Sequence, residues 1–350
     1  MKPKMPESVW KIVDNTKLSA HMACPRKDFY EYVLGWRPIQ DDHNLIYGQA
    51  FHMALEHLYD KQNKRDDTKL SMRDAEEAWL VFMEYYRRFY SEESDLDKAP
   101  KDPSNTERVL REYVELYSRI DRYKVVYSEI SGAVPINTSG RLIYFRLDTV
   151  LYEPMSGTYM VLEHKTSKWS PTLWEASLSL SLQGGIGTHV LSCLYPADKV
   201  KGLTYNGIFL LKKGNEFRRM PYRRSVDGMQ DWLTTINYYA DKRERELDIY
   251  VNTDKEDAPC MHAFPKNPTS CVAYNKPCPY MDFCKAWANP LRHIMEAPPS
   301  GFQKKFWDPR EQDKEWNAAS AHVVKPEEVE TGIGESIVQM ELPFVEPKKG

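Results

Sequence analysis

The segment TYMVLEHKTSKW places a carboxylate, Glu163, and an ammonium, Lys165, two residues apart at the end of an apolar run. Successive side chains of an extended strand alternate between faces, so Glu163 and Lys165 share one face while Leu162 and His164 take the other. Asp148 lies near the end of the preceding strand-like run, RLIYFRLDTVLY, across the turn-like EPMSG. A hairpin pairing these runs brings the Asp148 carboxylate close to Glu163. Two hard oxygen ligands a strand spacing apart suit Mg2+ or Mn2+, ions that keep some of their coordinated water. Such a metal would lower the pKa of a bound water and stabilise charge on a phosphate in flight, with Lys165 orienting the nucleophile or neutralising phosphoryl oxygens. Glu-x-Lys is ordinarily a surface ion pair. Here it ends an apolar strand instead of decorating a helix, and the Asp-bearing strand precedes it in the required order.

Upstream, YGQAFHMALEHLYD puts His52 and Glu56 one helical turn apart on one face. Downstream, Gln183 is an isolated polar residue in the small-residue helix SLSLQGGIG. Taken alone, each is equally well explained as a packing residue. Near the C-terminal end of the expected fold, Cys271, Cys278 and Cys284 lie in the Pro- and aromatic-rich FPKNPTSCVAYNKPCPYMDFCKAW, which points to metal ligation rather than core filling. Neither gap is a short zinc knuckle, and cluster iron accepts more scattered thiolates. A fourth ligand can come from Cys24 or from Cys260.

The ordered set His52, Asp148, Glu163-x-Lys165 and Gln183 resembles the RecB-like branch of the PD-(D/E)XK nucleases, which includes AddB-type and CRISPR-adaptation nucleases of bacterial or phage type. The resemblance covers roughly residues 16–290. It implies that His52, Asp148 and Glu163 are metal ligands, that Lys165 is catalytic and that Gln183 supports the site, with Glu129 a weaker further acidic candidate. It also implies a 4Fe-4S cluster on Cys24, Cys271, Cys278 and Cys284, leaving Cys193 and Cys260 as ordinary thiols and stapling the fold. Two positions depart from the pattern: Leu147 stands where the motif's name has proline, and Gly187 where many relatives carry an aromatic residue. The implied activity is metal-dependent DNA hydrolysis, more exonucleolytic than endonucleolytic, in replication-linked repair or recombination. The rival readings are a catalytically inert DNA-binding module and a zinc-stapled interaction module.

Composition permits this. The 350 residues are 41% hydrophobic and 28% charged, which is enough for a sizeable core. The net charge of −3 excludes a uniformly basic nucleic-acid coat, so DNA contact requires a local surface. Lys212, Lys213, Arg218, Arg219, Arg223 and Arg224, in KKGNEFRRMPYRR, are the candidates, unless the segment is simply a solvated hairpin. The chain shows no apolar run long enough to span a bilayer, and MKPKMPESVW has no secretory-signal pattern, so a cytoplasmic location is expected.

These residues need elements to hold them. Three- and four-residue apolar spacing predicts helices near 16–34, 47–62, 73–90 and 104–122. KVVYSEI, RLIYFRLDTVLY and TYMVLEHK then predict a three-strand meander, followed by a helix over 171–194, the strand GLTYNGIFLL and a helix over 227–249. The expected architecture is an α/β restriction-endonuclease-like core, a mixed sheet flanked by helices. Its nuclease domain spans 1–295, with a helical part at 1–122 and the cysteine segment at 260–287. Residues 296–350 read as a flexible tail. Within it Gln339, Met340, Leu342 and Phe344 resemble the short peptide that docks into bacterial sliding clamps.

Overall fold

Helical periodicity in the first third is realised as three amphipathic helices that bury their apolar stripes on one another. The computed structural model describes residues 7–39, 42–65, 69–211, 213–273, 276–295 and 297–310, together with the strand His322–Val324. After α1 (Asn15–Ala23), the helices are α2 (His43–Arg65), α3 (Met72–Tyr86) and α4 (Pro103–Ile120). Each start has a local cause. Ser71 and Asp74 form a reciprocal capping box on α3, and Asp102 caps α4 with Pro103 in its first turn. Tyr47, Phe51 and Leu55 of α2, Phe82 of α3 and Tyr113 of α4 share one core with Ile208 and Leu210.

The sheet below these helices has five strands. Of β1 (Lys124–Tyr127), β2 (Ile130–Pro135), β3 (Leu142–Leu147), β4 (Thr149–Glu153) and β5 (Thr158–Ser167), the first, fourth and fifth belong to it. After α5 (Pro171–Leu178) and α6 (Leu182–Leu194), β6 (Val200–Leu211) and β7 (Gly214–Tyr222) complete the order β1-β4-β5-β6-β7. β5 and β6 run parallel, as a helical crossover permits, and the other neighbours are antiparallel. This is the mixed α/β core with flanking helices. Several expected elements are divided: the helix expected near 16–34 ends at Ala23 and is followed by Pro25–Asp28 and the π-helix Phe29–Val33, and KVVYSEI breaks after Tyr127, its Ile130 opening β2. RLIYFRLDTVLY is two strands, β3 and β4, which lie in different sheets with Asp148 at the break, and the 171–194 helix is interrupted between Leu178 and Leu182.

Gly184 and Gly187 let α6 lie against the sheet. A Cβ at Gly184 would come within 2.7 Å of the Tyr222 ring, and one at Gly187 within 2.6 Å of Leu203. The close approach leaves no room for an aromatic residue at position 187.

All of these helices and strands except α1, the last residue of β2, part of β3 and most of α7 (Val226–Asn252) belong to one compact unit, comprising the described residues within 42–134, 145–230 and 313–350. The other unit comprises residues 1–41, 135–144 and 231–312. There, Cys24, Cys271, Cys278 and Cys284 line a cavity of about 220 Å³. The expected 4Fe-4S staple is nevertheless overturned. No group of three or more His, Cys, Asp or Glu side chains among the described residues is gathered so as to hold a metal ion. All four cysteines are free. Burial pushes the Cys278 and Cys284 thiols up. Other interactions tie the two ends of this unit. Tyr30 stacks on Trp36 and Tyr280, Arg26 donates to the Phe264 carbonyl, and the buried Arg243 and Asp28 form an ion pair.

Candidate active site

The β4–β5 hairpin sets the first relationship. Its register pairs Thr149 with Leu162, so the next position places Asp148 opposite Glu163. Because β4 begins only after Asp148, this side chain is free of the pleat. One oxygen accepts the His164 backbone N–H at 2.7 Å, and the other lies 3.2 Å from His52 Nδ1 on α2. Alternation along β5 does the rest. Leu162 is buried in the core, as is His164, while Glu163 and Lys165 face α6.

Glu163 is 2% exposed, and its Oε1 accepts from Lys165 Nζ and from Gln183 Nε2, both at 2.6 Å. Its Oε2 is buried with no hydrogen-bond partner among the described residues. A buried carboxylate oxygen with no donor is costly and marks a place where a cation fits. The charges around it shift one another. Burial pushes Glu163 up, and Asp148 adds to the effect against Lys165 and His52. Burial opposes ionisation of Asp148, but the charge and hydrogen bond of His52, with His164 and Lys165, hold it well below the carboxylate range. His52 and Lys165 are raised in return: burial lowers both, and the neighbouring carboxylates outweigh it.

The five residues proposed for catalysis, His52, Asp148, Glu163, Lys165 and Gln183, thus come together in one unit. Glu129 lies in the break before β2, paired with the Arg146 guanidinium. Burial pushes it up to about 7, against Arg146, with Glu56 and Asp148 adding to the rise. Arg146 and the His164 backbone N–H were not anticipated from the sequence. Arg146 has a signal, since it lies two residues before Asp148 on an alternating strand; the N–H, carried by every non-proline residue, has none.

The basic segment does not form one patch. β7 alternation turns Arg218 toward α5, where Glu216 and Glu175 pair with it, and Arg219 beneath α4. There Arg219 grips both Asp121 oxygens at 2.5 and 2.8 Å and lies 3.9 Å over the Tyr117 ring. Lys213 and Arg223 are exposed, and Arg224 donates to Tyr222. Lys212 lies outside the described residues, as do Gln339, Met340, Leu342 and Phe344.

Residues 15–285 match the PD-(D/E)XK nuclease superfamily, and the chain belongs to it. That match defines a superfamily and no branch of it. The narrower assignment to iron-sulfur RecB-like, AddB-type or CRISPR-adaptation nucleases is withdrawn, because no gathered ligand group supports the cluster. No curated protein matches the chain. Among solved structures, the crystal structure of SSO0001 is 14% identical, with 54% of this chain and 84% of that chain covered and a TM-score of 0.25. No helix among the described residues is long and apolar enough to cross a membrane.

Proposed function

We propose that this superfamily member is a metal-dependent deoxyribonuclease that hydrolyses phosphodiester bonds at the Asp148, Glu163 and Lys165 site, more as an exonuclease than an endonuclease, in replication-linked repair or recombination. The observation that carries the reading is Glu163 Oε2, buried without a donor beside Asp148 and Lys165. Described side chains supply no three-ligand cage. That suits Mg2+ or Mn2+, which bind through one or two carboxylates and fill their remaining positions with water and substrate phosphate. Asp148 and Glu163 would hold the ion, with His52 bracing Asp148 through its 3.2 Å contact. When bound, the ion would supply a more acidic water and charge stabilisation for the phosphate.

The chain's own groups account for the remainder. Gln183 and Lys165 fix one Glu163 oxygen and so aim the other. The Lys165 ammonium, kept charged by Glu163 and Asp148, can steady the attacking water and offset the negative charge growing on the phosphoryl oxygens. Water oxygen forms the new bond to phosphorus, the bridging oxygen leaves with a proton, and phosphate and hydroxyl ends result. The clamp-docking peptide at Gln339 to Phe344 would tether this activity to replicating DNA. The test is cleavage of end-labelled single- and double-stranded DNA with Mg2+, Mn2+ or EDTA. Cleavage that persists in EDTA, or in the Glu163→Gln protein, rules the reading out.

A further inference from the structure

We propose that His43, Lys98, Lys101 and Lys168 form a seat for a backbone phosphate of the DNA strand that the Glu163 site cleaves, an inference that rests on the function proposed above. Lys101 is only 5% exposed, yet its ammonium has no hydrogen bond or ion pair among the described residues. The Tyr47 ring, 5.4 Å from Nζ, is its aromatic neighbour. Lys98 Nζ stands 5.1 Å from the Tyr90 ring centre. His43, the first residue of α2, lies 3.1 Å from the Tyr86 hydroxyl and edge-on to Tyr90.

Two described carboxylates stand near, each also accepting a backbone N–H. Asp42 accepts from the Asn44 backbone N–H at 2.8 Å, and Asp102 from that of Asn105 at 2.9 Å, each at a helix start. Asp42 and Asp102 offset part of the positive charge on Lys101 and Lys168, and the cationic groups also act on one another. Burial pushes His43 down to about 4, with Lys98, Lys168 and Lys101 adding to the fall. Lys101 is lowered to about 8 by burial, with Lys168 adding to the fall and Asp42 opposing it. A nearly buried ammonium among like charges is costly unless an anion joins it, and the positive end of the α2 dipole favours the same charge.

The fold indicates which anion. Both elements that begin or pass here also carry the catalytic site. Along α2, His52 lies about 13 Å from His43 at 1.5 Å per residue. Along β5 and its continuation, Lys165 lies about 10 Å from Lys168 at roughly 3.3 Å per residue. The seat and Glu163 are thus separated by the length of a few nucleotides, and a strand with one phosphate in the cluster can present another to the site.

The experiment measures binding of a fluorescein-labelled single-stranded oligonucleotide to the full chain in EDTA over a series of salt concentrations. Its variants are Lys168→Ala, Lys98→Ala and Lys101→Met, with Arg119→Ala on the exposed face of α4 as control. Each phosphate-contacting lysine should lower the log–log salt slope by about 0.7 to 1 and weaken binding equally for different base sequences, while the control changes neither. Lys168→Ala and Lys98→Ala alter residues that are not buried, so they decide the matter even if Lys101→Met does not fold. Slopes equal to wild type in both overturn the seat, as does failure of the intact chain to bind. A chain that binds with the altered slopes but never cleaves would instead leave the seat standing and remove the hydrolase reading.

Discussion

Asp148 Oδ1 lies 3.2 Å from Nδ1 of His52, so the break between two strands is joined to the middle of a helix ninety-six residues earlier in the chain. The contact holds the carboxylate at the edge of the pleat, facing Glu163 across the hairpin. A site built this way depends on rigid elements and should respond sharply to small chemical changes.

Glu163→Gln removes a charge with little change in volume, and Lys165→Ala removes the ammonium. Each should lower single-turnover DNA cleavage by at least about 10²-fold while circular dichroism shows the fold retained. Gln183→Ala leaves both charged groups and removes only the aim of Glu163, so its loss should be smaller, on the order of tenfold. An undiminished rate for Lys165→Ala would remove that residue from the mechanism.

Arg218 and Arg219 are neighbours in sequence with opposite fates. Arg219→Met should destabilise the chain by roughly 3–5 kcal/mol in urea unfolding, because Asp121 is left without its partner. Arg218→Ala, on a half-exposed side chain, should change stability by about 0.5 kcal/mol or less. Similar costs for the two would contradict the strand alternation described for β7.

The buried Arg243–Asp28 pair makes stability depend on pH. Burial opposes ionisation of Asp28, but the charge of Arg243 and hydrogen bonds from His21 and Arg243 hold it below its ordinary value of 3.8. A depressed carboxylate contributes stability above that ordinary value and loses it as the pH falls through the folded-state value. Arg243→Met should therefore cost roughly 3–5 kcal/mol near neutral pH, with the gap from wild type narrowing as the solution is acidified. Urea titrations at several pH values measure both; a gap that widens in acid would reverse the sign assigned here.

Clamp docking is testable without cleavage. Full-length chain should bind a bacterial sliding clamp in a titration, whereas the Leu342→Ala, Phe344→Ala double variant should bind at least about tenfold more weakly through loss of its apolar anchors. Equal binding by both would exclude the peptide as the tether.

Local periodicity alone determined the order of the main helices and strands, though not where several of them break, and the sharing of one strand face by Glu163 and Lys165, because a period of two or of 3.6 is a property of neighbouring residues. The hairpin register that sets Asp148 opposite Glu163 was also legible, since a short turn between two alternating runs leaves few ways to pair them. The tertiary structure decided what depends on partners distant in sequence. It broke RLIYFRLDTVLY at Asp148, where one apolar alternation serves two sheets, and it sank Arg219 beneath α4 while leaving Arg218 outside. It also brought Gln183 to Glu163 and His52 to Asp148, contacts made across a crossover and from a separate helix. The cysteines show the converse: spacing suggested a cluster, and the four do line one cavity, but no described side chains there are gathered so as to hold a metal ion, a geometry that belongs to packing in three dimensions rather than to order along the chain.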